Sequence, residues 1–308
     1  MGRAEEFQEL RSLLFAIAYR ILGSVSEAED AVQDTWLRYE AADVTPTSPK
    51  AYLSTVVTRI SIDLLQSARS RRETYVGQWL PEPLLTDPYQ DPVRSAELAD
   101  SVSMAALLLL ERLSPLERAV FVLREVFGYG YEETATAVGR SAAACRQLVV
   151  RARRHMADGR TRFEADSRAH DELANRFFDA IRIGDLESLR ELLAADVQLV
   201  GDGGGKAPQL ARTVHGADKV ARVVARNFPP LFELDITLDR HAINGQPGAI
   251  LRVRDGGVIG TITLDVLDGR IQAIQSVINP DKLGHLGPVA DLWAIRDEVN
   301  RRGRSQPS

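Results

Sequence analysis

The chain has 308 residues, of which 44% are apolar and 26% charged, and a formal net charge of −5. At about 150 residues per domain this predicts two domains or three small ones, and the ordinary globular composition excludes whole-chain disorder and fibrous repeats. Read as one number, the acidic balance argues against a nucleic-acid partner.

The longest apolar run, Met104 to Leu110, falls far short of the ~20 residues that span a bilayer. Glu5 and Glu6 stand where a signal peptide would be basic. Cys145, the sole cysteine, forms no intrachain disulfide. A cytoplasmic protein with no membrane partner is expected.

Glu5 to Gly23 has helical spacing of Leu10, Leu13, Leu14, Ile17 and Ile21. Ser26 with Glu29 reads as a capping box opening a second helix to about Tyr39. On it, Val32, Thr35, Trp36 and Tyr39 form one stripe, and Asp30, Gln33, Asp34 and Leu37 form another. The second stripe is either an ordinary wet face or a protein-binding one. A third helix is predicted from about Lys50 to Ala68, ending near Arg69, Arg71 and Arg72. Gly77 to Pro92 holds four prolines and reads as a linker. Ala96 to Leu113 is again helical, and Ser114-Pro115 opens another helix.

Tyr131 to Val138, Gly139, then a helix capped by Ser141 and running to His155 make a helix-turn-helix layout. Arg140 to Arg162 contains seven arginines against Asp158, a local charge of +6 that the total conceals. A solvated bundle face would carry the same charges. Their place on the second helix of a turn motif points instead to DNA, with N-terminal residues on base edges and flanking arginines on phosphates.

These residues resemble a bacterial sigma factor of the extracytoplasmic-function (ECF) type over the first ~160 positions. Asp30 to Leu37 is similar to the region 2 signature, which implies docking on the β′ clamp helices of core RNA polymerase. Tyr52 to Asp63 resembles the helix that melts and reads the −10 element. The resemblance implies −10 roles for Arg59, Asp63, Gln66, Arg69, Arg71 and Arg72. Thr58-Arg59 and Gln66 depart from the family pattern, so its −10 base preference does not carry over. Tyr52 and Tyr75 are either stacking platforms or core residues. Ser114 to Arg154 resembles region 4, which implies −35 contacts by Ser141, Arg146, Gln147, Arg151 and Arg154, and a second polymerase contact on the β flap. Arg suits guanine and Gln suits adenine. Leu148, Val149 and Cys145 read as core.

After residue 165 the pattern changes. His170 to Ile183 is helical, Gly184-Asp185 is a stop and a new cap, and Gly216 to Asn227 is helical. From Ile236 the period is two, with turn signals at Asp255-Gly256 and Asp268-Gly269. Helices followed by antiparallel strands predict an α+β domain. It resembles a SnoaL-like member of the nuclear-transport-factor-2-like cones. With the first half, it resembles the ECF subgroup that carries this domain at its C-terminus.

Three segments carry the closer likeness: Trp79-Leu80-Pro81-Glu82-Pro83, Asp202-Gly203-Gly204-Gly205-Lys206, and Asn279-Pro280-Asp281-Lys282-Leu283. The subgroup implies that they form a regulatory interface in cis. A Lys206–Glu82 pair is one expected contact.

The fold class expected is therefore multidomain: two all-α sigma regions, then an α+β cone. Implied boundaries are 1–76 for region 2, 77–105 for the linker, 106–162 for region 4, 168–290 for the SnoaL-like domain and 291–308 for a tail, disordered from Arg301. Asp202, His215, Asp265 and Asp281 form no spaced acid–base dyad, and no cluster has metal-ligand spacing. No cofactor, metal or catalysis is expected. Core RNA polymerase and promoter DNA are the partners, and a small ligand in the cone stays open. Two rival functions are a ligand-sensing DNA-binding regulator and a SnoaL-type isomerase or hydrolase fused to a DNA-binding half.

Overall fold

The structure, a computed structural model, describes residues 2–43, 46–89, 98, 101–157, 167–209 and 212–305. It divides into two compact units: Met1–Thr74 with Thr86–Arg160, and Tyr75–Leu85 with Thr161–Ser308. The stretch expected as one linker is thus shared between them.

The helical unit begins with α1 (Arg3–Leu22), which buries Leu13, Leu14, Ile17, Ala18 and Ile21. Gly23 closes it at φ 70°, a left-handed cap that costs glycine little. Ser24, not Ser26, caps α2 (Val25–Glu40) by accepting from Glu27 N at 3.1 Å. The stop of one helix and the cap of the next therefore share a two-residue turn.

Helix α3 (Pro49–Glu73) outruns its expected end, because the arginines after Ala68 are good helix formers and no Gly or Pro intervenes. The helix expected over 96–113 is interrupted. Ser103 accepts from Ala106 N and starts α4 (Met104–Leu110) anew. Helix α5 (Pro115–Phe121) has the Ser114–Glu117 capping box and continues into a π-helical turn, Val122–Val126. Helices α6 (Tyr131–Val138) and α7 (Ala142–Ala157) flank Gly139 at φ 65°.

In the second unit, helices α8 (Ser167–Ile183), α9 (Leu186–Leu192) and α10 (Ala217–Asn227) pack on one face of a six-stranded sheet. Its strands are β1 (Leu193–Asp202), β2 (Val214–His215), β3 (Thr237–Ile243), β4 (Gln246–Arg252), β5 (Val258–Leu267) and β6 (Arg270–Val277), in the order β2-β1-β6-β5-β4-β3. The expected sheet was antiparallel. The observed one is mixed, because β1 lies parallel to β6, pairing Leu199 with Ile274. Asn244-Gly245, at φ 54° and 69°, turns β3 into β4. The expected tail is also corrected: helix α11 (Leu292–Ser305) is ordered past Arg301, and Arg302 donates to Glu233 O.

The pleat assigns the two faces. Leu199, Ala249, Ile262, Leu264 and Ile274 join Phe177, Phe178 and Ile181 in the helix-facing core. The alternate residues face the other way: Asp202, Thr261, Thr263, Asp265, Gln246, Gln275 and Val277. These are buried too. The segment Leu80–Leu84, described below, bonds to this face at Asp202. Burial pushes the Asp265 carboxyl up to about 6 against the opposing charge of His170, and Gln246 Nε2 stands 3.4 Å from it.

A raised carboxyl means that the folded unit holds its proton longer than the unfolded chain. Stability then falls as pH rises from about 4 to about 6, by up to ~3 kcal/mol. Asp265→Asn removes that slope. Thermal melts should show a larger gain for the variant at pH 7.5 than at pH 4.5; equal gains would contradict the assignment.

Candidate functional site

The Asp202 side chain, at the end of β1, is fully buried and pairs with the ammonium of Lys282. Its Oδ1 accepts from the Tyr75 hydroxyl and from Gly204 N at 3.1 Å. Its Oδ2 accepts from Leu80 N at 2.8 Å and from Lys282 Nζ at 2.6 Å. Lys282 also donates to Leu80 O and lies 4.2 Å from the centre of the Trp79 ring. Burial, and then the neighbouring Asp202 carboxylate, push the Tyr75 hydroxyl above its ordinary range, so it stays a donor. Asn279 Nδ2 donates to the Tyr75 oxygen at 2.7 Å.

A glycine is required at 204. A Cβ there would lie 2.3 Å from Asn279 Nδ2, and its φ is +57°. The segment continues to a second anchor: Leu84 N donates to Asn244 Oδ1 at 3.0 Å, and Asn244 N to Leu84 O at 2.7 Å. His285 Nε2 lies 2.7 Å from Pro83 O. Anchored at the β1 edge and at the β3–β4 turn, residues 80–84 cross the polar face of the sheet.

The expected Lys206–Glu82 pair is not the one formed. Lys206 Nζ bonds Asp281 Oδ2 at 2.6 Å, with both side chains exposed, whereas Glu82 is buried. The lysine bonded to the linker is Lys282. Trp293 of α11 donates to Lys206 O at 2.7 Å.

In the helical unit, Asp30, Gln33, Asp34 and Leu37 are exposed and share one face of α2. Leu37 is 53% exposed. Val32, Thr35 and Tyr39 are buried on the opposite side, and Trp36 is half-buried against Phe7. On α3, Arg59, Asp63 and Gln66 are exposed on one face. The Arg59 guanidinium is already engaged, donating to Ala137 O at 3.0 Å and Thr136 O at 2.7 Å. Ser54 and Tyr129 share a hydroxyl–hydroxyl bond of 2.7 Å beside it. The side chains of Arg69, Arg71 and Arg72 lie outside the described residues. Tyr52 is half-buried, 5.9 Å from the Tyr39 ring, and Tyr75 belongs to the Asp202 cluster. Neither presents itself as an open stacking platform.

On α7, Ser141 Oγ accepts from Ala144 N at 3.2 Å. Arg146, Gln147, Arg151 and Arg154 are exposed, while Cys145, Leu148, Val149 and Ala152 are buried. Burial pushes the Cys145 thiol up, which makes it inert. Arg146 stacks 5.4 Å from the Tyr131 ring centre. Arg153 makes two bonds to Glu125, and Arg151 lies 3.6 Å from Glu117.

Residues 7–71 match the model of sigma-70 region 2, and residues 103–156 that of sigma-70 region 4. The chain is 40% identical over 289 residues to the ECF RNA polymerase sigma factor SigJ of Mycobacterium tuberculosis, covering 90% of this chain and 92% of that one. The chain belongs to the ECF RNA polymerase sigma factors. A probable ECF sigma factor of the same organism, SigI, is 32% identical over 279 residues, covering 90% of this chain and 93% of its own length. The crystal structure of SigJ superposes with a TM-score of 0.71 at 36% identity, covering 93% of this chain and all of that one. Sequence and fold thus match along both units, including the α+β domain.

Reading the sigma factor's sequence missed Asn244, His285 and Trp293. Asn244-Gly245 is a strong hairpin signal that could have located the second linker anchor. His285 and Trp293 bond to backbone carbonyls, for which sequence carries no pattern.

The Asp202–Lys282 pair is buried, so removing one partner strands the other charge at a cost of ~3–5 kcal/mol. Asp202→Ala and Lys282→Met should each lower the urea midpoint of the second unit and open 75–85 to protease. The double variant should lose clearly less than the two losses added; strict additivity would mean that the groups do not interact.

Proposed function

We propose that this sigma factor docks on core RNA polymerase through the exposed α2 face, with the β′ clamp helices as its partner surface and the β flap as a second contact of region 4. The observation that carries the reading is Leu37. A half-exposed leucine costs nothing as an isolated surface residue, but here Asp30, Gln33 and Asp34 frame it on one helical face. An apolar centre inside a charged rim is the composition of a protein interface.

Promoter recognition is divided between α7 at the −35 element and α3 at the −10 element, with Arg59, Asp63 and Gln66 and the basic end of α3 on the melted strand. Arg59 must leave the carbonyls of Thr136 and Ala137 to take part. The Asp202 clasp acts on output in cis. Residues 75–85 lie in sequence between the two promoter-reading regions, and their extended reach is about 36–40 Å. Held at Leu80 and Leu84, the segment cannot choose its own span. Release of the clasp alters how the two regions meet their elements.

Asp30→Arg with Asp34→Arg should abolish co-purification with core polymerase while leaving the melting curve unchanged; undiminished co-purification would sink the docking assignment. Arg146→Ala should weaken binding to the −35 element and relax its specificity. Arg154→Ala, in the last turn of α7, should weaken all sequences about equally and reduce the salt slope by about 1. Run-off transcription by holoenzyme carrying Lys282→Met should differ from wild type on the same promoter. Identical output would remove the regulatory role of the clasp.

A further inference from the structure

The exposed side of α7 carries one side chain that neither charge nor hydrogen bonding explains. Val150 is 56% exposed, in a helix where valine is a weaker former than alanine. Its neighbours on the same side are Arg146, Gln147 and Arg154, three or four residues away. At 100° per residue, the buried stripe of Cys145, Leu148, Val149 and Ala152 defines one direction. Val150 points within about 30° of the opposite direction, as does Gln147, and Arg154 within about 10°. Val150 therefore sits near the centre of the face that region 4 turns outward. The first turn, Ala142-Ala143-Ala144, has no side chain longer than a methyl, so the helix end can approach a groove floor closely.

We propose that Val150 is a specificity residue of the −35 reader, packing on the 5-methyl group of a thymine in the major groove. The inference rests on the reading of α7 as the promoter-reading helix. The major groove offers hydrogen-bonding edges on all four bases, but its apolar feature is the thymine methyl. A β-branched apolar side chain between Gln147 and Arg154 has no donor or acceptor for the other edges. The surrounding positive charge selects the polyanion as the occupant of this face over an apolar protein surface. Gln147, one turn away, is matched to an adenine edge, so the pair reads a short A/T-containing step.

The test uses the full chain assembled with core polymerase. Random duplexes are selected for binding, and each thymine enriched in the −35 element is then replaced, one at a time, by uracil, which lacks only the methyl. One replacement should weaken binding about fourfold, the value of ~0.8 kcal/mol for one buried methyl group at 1.4 kcal/mol per tenfold. Val150→Ala, exposed and favourable to helix, should keep the wild-type melting curve and bind the thymine and uracil duplexes equally. If no uracil replacement weakens binding, or if the loss persists in Val150→Ala, the proposal is overturned while the reading of α7 stands. If nothing is enriched, or enrichment is indifferent to Arg146→Ala, the reading of α7 fails and the proposal with it.

Discussion

A buried carboxylate cannot be left without partners, and that constraint organises the C-terminal unit. Asp202 is fully buried and accepts from Tyr75, Leu80, Gly204 and Lys282. These donors come from three separated stretches of chain, so the charge is satisfied only when all three are in place. Everything else at this edge follows from that demand. Gly204 is needed because Asn279 must come close to hold Tyr75. Lys282 is needed twice, for the carboxylate and for the Leu80 carbonyl. The linker is thereby written into the fold of the C-terminal unit by ionic chemistry as well as by apolar burial of Leu80 and Leu84.

The helical unit uses the same device with the opposite sign. Arg20 is fully buried and donates to Ala16 O, Leu98 O, Ser101 Oγ at 2.8 Å and Asp87 Oδ2 at 2.6 Å. Arg118, also buried, donates to Arg20 O at 2.9 Å. A planar guanidinium with five donors can gather backbone carbonyls that a smaller cation could not. In both units, then, a charged group placed in the interior joins segments far apart in sequence. Replacing either by an apolar residue would leave its partners unsatisfied, so the junctions are specific as well as stabilising.

Much of this was legible in the sequence, and the physical reason is periodicity. The stripe Asp30, Gln33, Asp34, Leu37 depends only on the 3.6-residue repeat, and the structure places it on one exposed face of α2, whereas the set Ser141, Arg146, Gln147, Arg151, Arg154 follows from the family resemblance, and its members are exposed on α7 and at its cap. The three segments around Trp79, Asp202 and Lys282 were identified by resemblance, and they do meet. Their pairing was not legible. Lys206 and Lys282 are equivalent as charges in a sequence; only burial separates the exposed Asp281 partner from the interior Asp202 partner. Strand order was equally hidden, since β1 joins β6 in parallel across the 67 intervening residues Gly203 to Gly269, and no local pattern records such a pairing. Ser103 was missed as a helix break because the run Met104 to Leu110 is apolar enough to mask a cap.

The distribution of charge on α7 shows why the net value misled. Seven arginines fall between 140 and 162, and those described on α7 do not form one uniform patch. Arg153 points about 90° from the centre of the exposed side and is held there by two bonds to Glu125. Arg151 is about 70° off centre, beside Glu117, and Arg146 is about 70° off on the other flank, stacked on Tyr131. The centre itself is Ala143, Gln147, Val150 and Arg154. Its first three residues are uncharged and sit beside Arg146 in the N-terminal part of the helix, the part that reads base edges in a helix-turn-helix, while Arg154 lies in the last turn, where a cation meets phosphate. The acids Glu117 and Glu125, which lower the formal charge of the helical unit, do so while orienting the flanking cations. The same acidic residues that argued against a nucleic-acid partner in the total thus help to shape the surface that would meet one.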